Sequence, residues 1–395
     1  MLSYLFTFMR VLGIDPGSKS FDLFGYEFKL DEPNQREIFI EKVIKTNKIF
    51  KDPNRLFKIL DELKPLDLIV APSGFGIPLK QAKFINDDDV FQMTLRRGKS
   101  KPTMGLGKVI QQLRSKKYPA IYIPSIKHLP TVPLKNVVNK IDLGTSDKLC
   151  SAVLGIEDMR NTNNLPLKEV SFIMIEVGGA FSAVTAIKEG KIIDGIGGTN
   201  IMGMEAGGAL DGEIAYLMGK IKKRTIYSGG AQYIGGEEEK RKVRAKKKQP
   251  PQTDTKKKQR GNQLKHGLGK NKAKEKRIEI FIHHIKKAVF SLLVNYNGGI
   301  NYLDSSSSQN QKQGIQILLS GRMIKDKLIR TKLKNDLSEI GPVKIMETYS
   351  SKVKRAAQGA AIIGEGLLGG PSKSIIENLQ IKKAQRHILD NIYFE

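Results

Sequence analysis

The sequence predicts an α/β protein made of two related lobes, because one short pattern opens each half of the chain. In the first half, an apolar strand ends at Asp15 and is followed by a turn at Gly17 and a second apolar run. In the second half, an apolar strand ends at Glu176 and is followed by a turn at Gly178 and another apolar run. Strands and helices alternate after both openings. Repetition of one sequence pattern in the two halves of a chain is typical of a duplicated fold.

The length of 395 residues also favours two domains. We predict an N-terminal lobe over residues 1–164, in which the fold starts at about residue 9, and a C-terminal lobe over residues 165–395. Met9 is the more economical start, because MRVLGIDPG begins where the first strand begins. The choice between Met1 and Met9 stays open.

The first lobe is predicted to open with three extended segments and to continue with alternating helices and strands. Its strands are predicted at 10–15, 21–28, 38–43, 66–71 and 120–123, and its helices at about 53–63, at about 106–113 and after Thr145. The second lobe repeats the opening with strands at 172–176, 181–187 and 191–194. It continues with a strand at 315–319 and helices at about 209–222, 278–294 and 352–368.

A strongly basic segment interrupts the second lobe. From Lys240 to Arg277 the chain has 17 Lys or Arg residues and two acidic residues. The segment therefore has a net charge of +15, more than half of the +27 of the whole chain. With Pro250, Pro251 and almost no apolar residues, the segment cannot bury enough surface to offset its ordering entropy. We predict a disordered insertion over residues 237–277. Its charge could bind RNA or DNA without sequence preference, and an ordinary solvated insertion is the alternative.

The composition excludes several classes of site. A single cysteine, Cys150, excludes an intramolecular disulfide and a metal site built from cysteines alone. The five histidines lack the spacings of histidine-bound metal hydrolases. No apolar run approaches the roughly 20 residues that span a membrane, and the short apolar start lacks the basic region of a signal peptide. We therefore expect a cytoplasmic protein that makes no membrane contact.

The first acidic turn has the composition of a nucleotide phosphate site. A carboxylate at the end of a strand can hold Mg²⁺, and a following glycine lets backbone N–H groups approach a phosphate. Asp15 is the predicted metal ligand and catalytic carboxylate. Gly17, Ser18 and Lys19 are the predicted phosphate contacts. The alternative is a tight turn between strands with a solvated acid.

The second acidic turn repeats these residue types. Glu176 is the predicted metal ligand, and Gly178 and Gly179 are the predicted phosphate contacts. Either turn alone fits a plain hairpin as well as a binding site. The presence of both turns in register favours the binding site, with ATP and Mg²⁺ as the cofactors.

The segment from Gly144 to Lys148 is the best candidate for the acceptor side of the site. Thr145 or Ser146 can cap the helix that follows, which places Asp147 in its first turn. Asp147 could accept a proton from an acceptor hydroxyl, and Lys148 could pair with an acidic substrate. The alternative is that Asp147 only favours the N-terminus of the helix.

Four motifs, in order, resemble those of the superfamily that contains actin, heat-shock chaperone ATPases, sugar kinases and acetate kinase. IDPGS resembles its first phosphate motif, EVGG its second, ILLSGR its adenosine motif, and AAQGAA the small-residue helix that closes the core. The resemblance covers residues 9 to about 370, apart from the insertion. It implies two ribonuclease-H-like lobes in the actin-like ATPase fold, with the nucleotide in the cleft between them. It also implies nucleotide contacts for Ser320, Gly321, Arg322 and Gly359.

The strings PSGFGIPL, GTSDKLCSA, GIGGT and GGALDGEIAYL look like an archaeal family described as predicted butyrate kinases. That resemblance implies a kinase and supplies no proven substrate. The second phosphate motif of the superfamily usually has Asp where this chain has Glu176, and the longer side chain favours a second-sphere role there. The acceptor can be a short-chain carboxylate, another acid or an alcohol. A regulatory ATPase without an acceptor, and a homodimer, stay open.

Overall fold

The computed structural model describes residues 8–17, 19–30, 35–71, 73–96, 106–116, 118–234, 263–296 and 314–394. The first sheet consists of β1 (Met9–Pro16), β2 (Ser20–Phe28), β3 (Arg36–Lys45), β4 (Leu68–Val70), β5 (Lys80–Gln81) and β6 (Ala120–Tyr122). The second sheet consists of β7 (Phe172–Val177), β8 (Ser182–Lys188), β9 (Lys191–Ile196), β10 (Gln316–Ser320) and β11 (Val343–Ile345).

Helices cover these sheets and connect them. They are α1 (Thr46–Lys51), α2 (Asn54–Glu62), α3 (Asp87–Thr94), α4 (Leu106–Ser115), α5 (Leu134–Val137), α6 (Ser146–Thr162), α7 (Gly212–Met218), α8 (Gln263–Leu292), α9 (Lys327–Leu337), α10 (Arg355–Leu367) and α11 (Lys373–Asn378). Within the described ranges, none of the helices combines the length and the apolar character that a membrane crossing needs.

The two sheets are built on one plan. In the first, the order is β3-β2-β1-β4-β6-β5, and in the second it is β9-β8-β7-β10-β11. In both sheets, the first strand of the lobe pairs antiparallel with the strand that follows it in the chain, β2 or β8. On its other side it pairs parallel with a later strand, β4 or β10. This shared order confirms the predicted α/β fold with two ribonuclease-H-like lobes. The proposed boundary at residue 164 falls between the strands of the two sheets.

Two helices, α6 and α10, pack against each other between the sheets. Glycines allow this close approach. A Cβ atom added to Gly359 in α10 would lie 1.8 Å from the carbonyl oxygen of Cys150 in α6. A Cβ atom added to Gly13 in β1 would lie 2.1 Å from the carbonyl oxygen of Ala357 in α10. The backbone of α10 therefore contacts both α6 and the central strand of the first sheet.

A buried ion network holds the far ends of these helices to the first sheet. Arg36, at the start of β3, donates from Nη2 to Glu157 of α6 at 2.7 Å and from Nε to Glu365 of α10 at 2.7 Å. The side chains are 11%, 7% and 0% exposed, respectively. Because solvent screens this network little, loss of one partner would leave an uncompensated buried charge.

The helix after the basic insertion begins earlier than predicted, because α8 starts at Gln263 and not at about residue 278. Residues 235–262 lie outside the described part of the chain, and the disorder of the insertion stays a prediction. The helix is packed from Ile278 onward, and Lys, Arg, Ala and Glu extend a helix that is already nucleated at little cost. Arg277 also donates from Nε to the carbonyl oxygen of Ile234 at 2.7 Å.

The helix contact predicts a large difference between two glycines of α10. Gly359→Ala should lower the free energy of unfolding by about 2 kcal/mol, because the added methyl group meets backbone atoms that cannot move away. Gly364→Ala is the control, since its nearest neighbour would be the Val70 side chain at 3.3 Å. Its change should stay within about 1 kcal/mol, because Ala also favours the helix. Urea denaturation measures both, and equal losses would contradict the contact.

Candidate active site

The two acidic turns have the same hydrogen bond and lie close to each other. The Gly17 N–H donates to the carbonyl oxygen of Ser20 at 2.8 Å, and the Gly178 N–H donates to that of Phe181 at 2.9 Å. Lys19 extends from the first turn towards the second, where its Nζ would be 3.7 Å from a Cβ atom added to Gly179. The structure thus brings the two predicted phosphate turns together across one cleft.

Asp15 is buried at the mouth of the first turn. Its side chain is 8% exposed, and its Oδ2 accepts a hydrogen bond from Lys354 Nζ at 2.9 Å. Burial raises the pKa of Asp15 to about 6, more than the nearby Lys354 ammonium lowers it. The carboxylate is therefore ionised at neutral pH, and the Lys354–Asp15 contact is an ion pair.

Lys148 connects the acceptor segment to the second acidic turn. Its Nζ donates to Asp147 Oδ2 at 2.6 Å and to Glu176 Oε1 at 2.5 Å. Asp147 belongs to the first turn of α6, and Glu176 belongs to the end of β7. The Thr145 side chain accepts no cap hydrogen bond, and its hydroxyl donates to the Asp147 carboxylate.

The electrostatics of this group keep Asp147 and Lys148 charged. Burial acts to raise the pKa of Asp147, but the Lys148 charge and the hydrogen bonds from Lys148 and Thr145 outweigh it, and the pKa is lowered. Burial acts to lower the pKa of Lys148, but Asp147 and Glu176 outweigh it, and the pKa is raised. Asp15 is close enough for its pKa to respond to both Asp147 and Lys148.

The carboxylates fit a magnesium ion that arrives with a nucleotide. No set of three or more His, Cys, Asp or Glu side chains in the described ranges could hold a metal. Mg²⁺ commonly uses only one or two carboxylates together with phosphate oxygens and water. Glu176 Oε2 is buried and accepts no hydrogen bond from the described residues, so one oxygen at the second turn has no partner yet.

The predicted adenosine motif lies beside the second turn. Ser320 is buried and pairs in register with Glu176 across β10 and β7. Gly321 has a φ of +97°, and a Cβ atom there would lie 2.3 Å from the carbonyl oxygen of Val177. Arg322 is exposed at the start of the following short 3-10 turn.

Two further predicted nucleotide contacts stay predictions. The described contacts of Gly359 are to Cys150 at the helix crossing, and its contact with a nucleotide stays a prediction. Ser18 lies outside the described residues.

A second group of side chains lies next to the acceptor segment. Asp142 is 6% exposed, and its Oδ2 accepts from the backbone N–H and hydroxyl of Thr199 at 2.9 and 2.8 Å. Burial raises the pKa of Asp142, and Asp147 adds to the rise. Lys223 is half-buried, and its Nζ lies 5.2 Å from the ring centre of Phe75. Burial and the charge of Arg96 lower the pKa of Lys223.

Sequence reasoning missed Lys354, Asp142 and Lys223. Lys354 precedes the small-residue helix, but it is 339 residues from its partner Asp15. Asp142 lies just before the acceptor segment and accepts hydrogen bonds from Thr199 in the loop that follows β9. The two residues are far apart in the sequence, so no local pattern predicts this contact. Lys223 stands in a stretch with several other basic residues, where nothing in the sequence distinguishes a cleft side chain from a solvated one.

A family model described as "Protein of unknown function (DUF1464)" matches residues 13–394. The chain therefore belongs to this family. No curated protein matches it.

Among solved structures, acetate kinase from Porphyromonas gingivalis aligns with a TM-score of 0.49 at 12% identity, covering 89% of this chain and 98% of that one. Acetate kinase from Entamoeba histolytica aligns with a TM-score of 0.48 at 12% identity, covering 83% and 86%. The ROK hexokinase from Thermus thermophilus aligns with a TM-score of 0.39 at 12% identity, covering 90% and 98%. The fold assignment rests on the strand order of the two sheets.

The Lys148 contacts predict a large stability loss when its charge is removed. Lys148→Met should lower the free energy of unfolding by about 2 kcal/mol, because Glu176, 12% exposed, and Asp147, 34% exposed, would lose their cation. Lys148 is 12% exposed, so water cannot replace it. Lys19→Met is the control, since Lys19 is 58% exposed and 3.7 Å from Glu205, and should cost less than about 1 kcal/mol. Chemical denaturation at pH 7 compares the two, and similar losses would count against a buried Lys148 pair.

Proposed function

We propose that this member of the DUF1464 family is an ATP- and Mg²⁺-dependent kinase that phosphorylates a small-molecule acid or alcohol. A short-chain carboxylate, as in a butyrate kinase, is the acceptor that we favour. The observation that carries the proposal is the double contact of Lys148 with Asp147 and Glu176. It joins a carboxylate of the acceptor segment to a carboxylate of the phosphate turns, so acceptor and nucleotide could meet there.

The proposed nucleotide contacts follow from the two facing turns. Backbone N–H groups near Gly17 and Gly178 would bind phosphate oxygens, and Lys19 would add a positive charge. Asp15 and Glu176 would hold Mg²⁺, which would screen the charge of the phosphates when bound. Gly321 would allow the adenosine to approach the backbone at the end of β10.

The reaction requires little covalent chemistry from the protein. An acceptor oxygen forms a bond to the γ-phosphorus, the bond from that phosphorus to the β,γ-bridging oxygen breaks, and ADP leaves. A hydroxyl acceptor must also release its proton, and the Asp147 carboxylate would take it. A carboxylate acceptor has no proton to lose and gives an acyl phosphate.

Lys223 supports an anionic acceptor. Within the described ranges, no carboxylate oxygen lies within 4.0 Å of its ammonium group, which faces the aromatic rings of Phe75 and Tyr227. Asp142 influences the pKa values of both Lys223 and Tyr227, so this group adjoins the Asp142–Thr199 contact. A carboxylate bound at Lys223 would add a direct contact to the more distant charge of Asp142.

The two phosphate carboxylates are expected to differ in importance. Asp15→Asn should abolish Mg²⁺-dependent ATP turnover and keep the fold, because the neutral side chain is a poor metal ligand. Glu176→Gln should reduce turnover less, since the longer side chain favours a contact through water. Steady-state ATP hydrolysis or transfer across a Mg²⁺ titration measures both. An equal or larger loss for Glu176→Gln would contradict this ranking.

The role of Asp147 separates the two acceptor classes. Acceptors are screened by ATP consumption, and acyl phosphates are detected by trapping with hydroxylamine. Asp147→Asn should lower kcat for hydroxyl acceptors by about 100-fold, the size of a general-base contribution, and lower it much less for carboxylates. Asp211→Asn is the control, because Asp211 is an exposed cap of α7. ATP turnover that responds to no acceptor would favour a regulatory ATPase instead.

A further inference from the structure

Lys354 occupies the first phosphate turn. It precedes α10, and its Nζ donates to Asp15 Oδ2 and to the carbonyl oxygen of Ser20, both at 2.9 Å. The same Nζ lies 3.3 Å from Asp22 Oδ1. The three N–H donors of the ammonium therefore have three acceptors in one hairpin.

The ammonium lies where a phosphate group would approach the turn. A Cβ atom added to Gly17 would be 2.2 Å from Lys354 Nζ, so the charge rests directly against the Gly17 backbone. This glycine provides the open backbone on which the proposed phosphate contact depends. A Mg²⁺-nucleotide and the Lys354 ammonium would compete for Asp15 and this turn, since two cations at one carboxylate repel each other.

Asp15 and Asp22 depend on Lys354 to different degrees. Asp22 also accepts the Ser20 hydroxyl at 2.6 Å and the backbone N–H of Lys354 at 2.9 Å. For Asp15, the Lys354 ammonium is the side-chain donor found within the described ranges. Departure of the ammonium would therefore leave Asp22 hydrogen-bonded and free Asp15 for another cation.

The Lys354 side chain has the freedom to move. It is 37% exposed, whereas the Asp15 and Asp22 side chains are 8% and 3% exposed. Its backbone N–H remains bonded to Asp22, while the flexible four-carbon stem can redirect the charge. A lysine is a common point-charge partner for phosphate.

We infer that Lys354 is an exchangeable counter-ion, which neutralises Asp15 in the nucleotide-free protein and moves to a nucleotide phosphate when a divalent metal takes its place. The first half of this inference concerns the free protein. The second half rests on the proposed nucleotide site.

The test compares Lys354→Met with Lys352→Met in the full-length protein. Lys352 belongs to the same segment, but it is 74% exposed and pairs with Glu41. Binding of Mn²⁺ without nucleotide is measured by electron paramagnetic resonance. Lys354→Met should bind Mn²⁺ at least about tenfold more tightly than the natural protein, because a competing charge has been removed from Asp15. Lys352→Met should not differ, and Asp15→Asn added to Lys354→Met should abolish the gain.

A second measurement, the affinity for Mg²⁺-ATP, tests whether the Lys354 ammonium contacts a nucleotide phosphate. Calorimetric titration with Mg²⁺-ATP should show no gain in affinity for Lys354→Met, because the loss of one charge-assisted hydrogen bond to phosphate, about tenfold, offsets the gain from the removed competition at Asp15. Unchanged Mn²⁺ affinity in a folded variant would overturn the exchange. A Mn²⁺ gain with an equal, about tenfold gain in Mg²⁺-ATP affinity would overturn the move to phosphate alone.

Binding of Mn²⁺ is measured without nucleotide or acceptor, so its outcome does not depend on whether the protein is a kinase. Failure of the ion exchange and failure of the proposed function can therefore be distinguished. Lys354→Gln, which keeps donor groups without the charge, replaces Lys354→Met if that variant does not fold. Failure of both to fold would show that Asp15 and Asp22 need a permanent internal cation. That result would also overturn the exchange.

Discussion

The close contact of α10 with both β1 and α6 determines where the charged side chains of the site can lie. Gly13 and Gly359 let three backbones meet without side chains between them. Asp15 follows Gly13 along β1, and Lys148 precedes Cys150 along α6. Because β1 and α6 both contact α10 at these positions, Asp15 and Lys148 lie at the same end of the cleft. The site is a consequence of packing as much as of the residues that form it.

Two lysines offset half of the charge of the four carboxylates that this packing collects. Lys148 and Lys354 each contact two acidic side chains, at distances of 2.5 to 3.3 Å. Where the nucleotide would bind, these groups of the free protein therefore keep a net negative charge. Phosphates would bring further negative charge, which makes a divalent metal and a redistribution of the lysine charges natural parts of binding.

Local patterns in the sequence were enough to predict the two lobes and the two acidic turns. An acid, a glycine and a strand on each side specify a hairpin within a few residues, and the Gly17 and Gly178 turns have the same hydrogen bond. The partner of Asp15 could not be predicted this way, because Lys354 reaches it only through the tertiary fold. The start of α8 was misplaced for a related reason: composition describes Lys-rich residues in isolation and not as a continuation of a packed helix.

The Arg36 ion network and the glycine crossing hold the same two helices at two separate places. Arg36 contacts α6 at Glu157 and α10 at Glu365, whereas Lys148 and Lys354 lie at or just before the opposite ends of these helices, roughly 15 Å away at 1.5 Å per residue. The contact of Gly359 with Cys150 lies between the network and the lysines. The backbones that carry the two lysines are therefore fixed, and a change of charge at the phosphate turns has to come from their side chains.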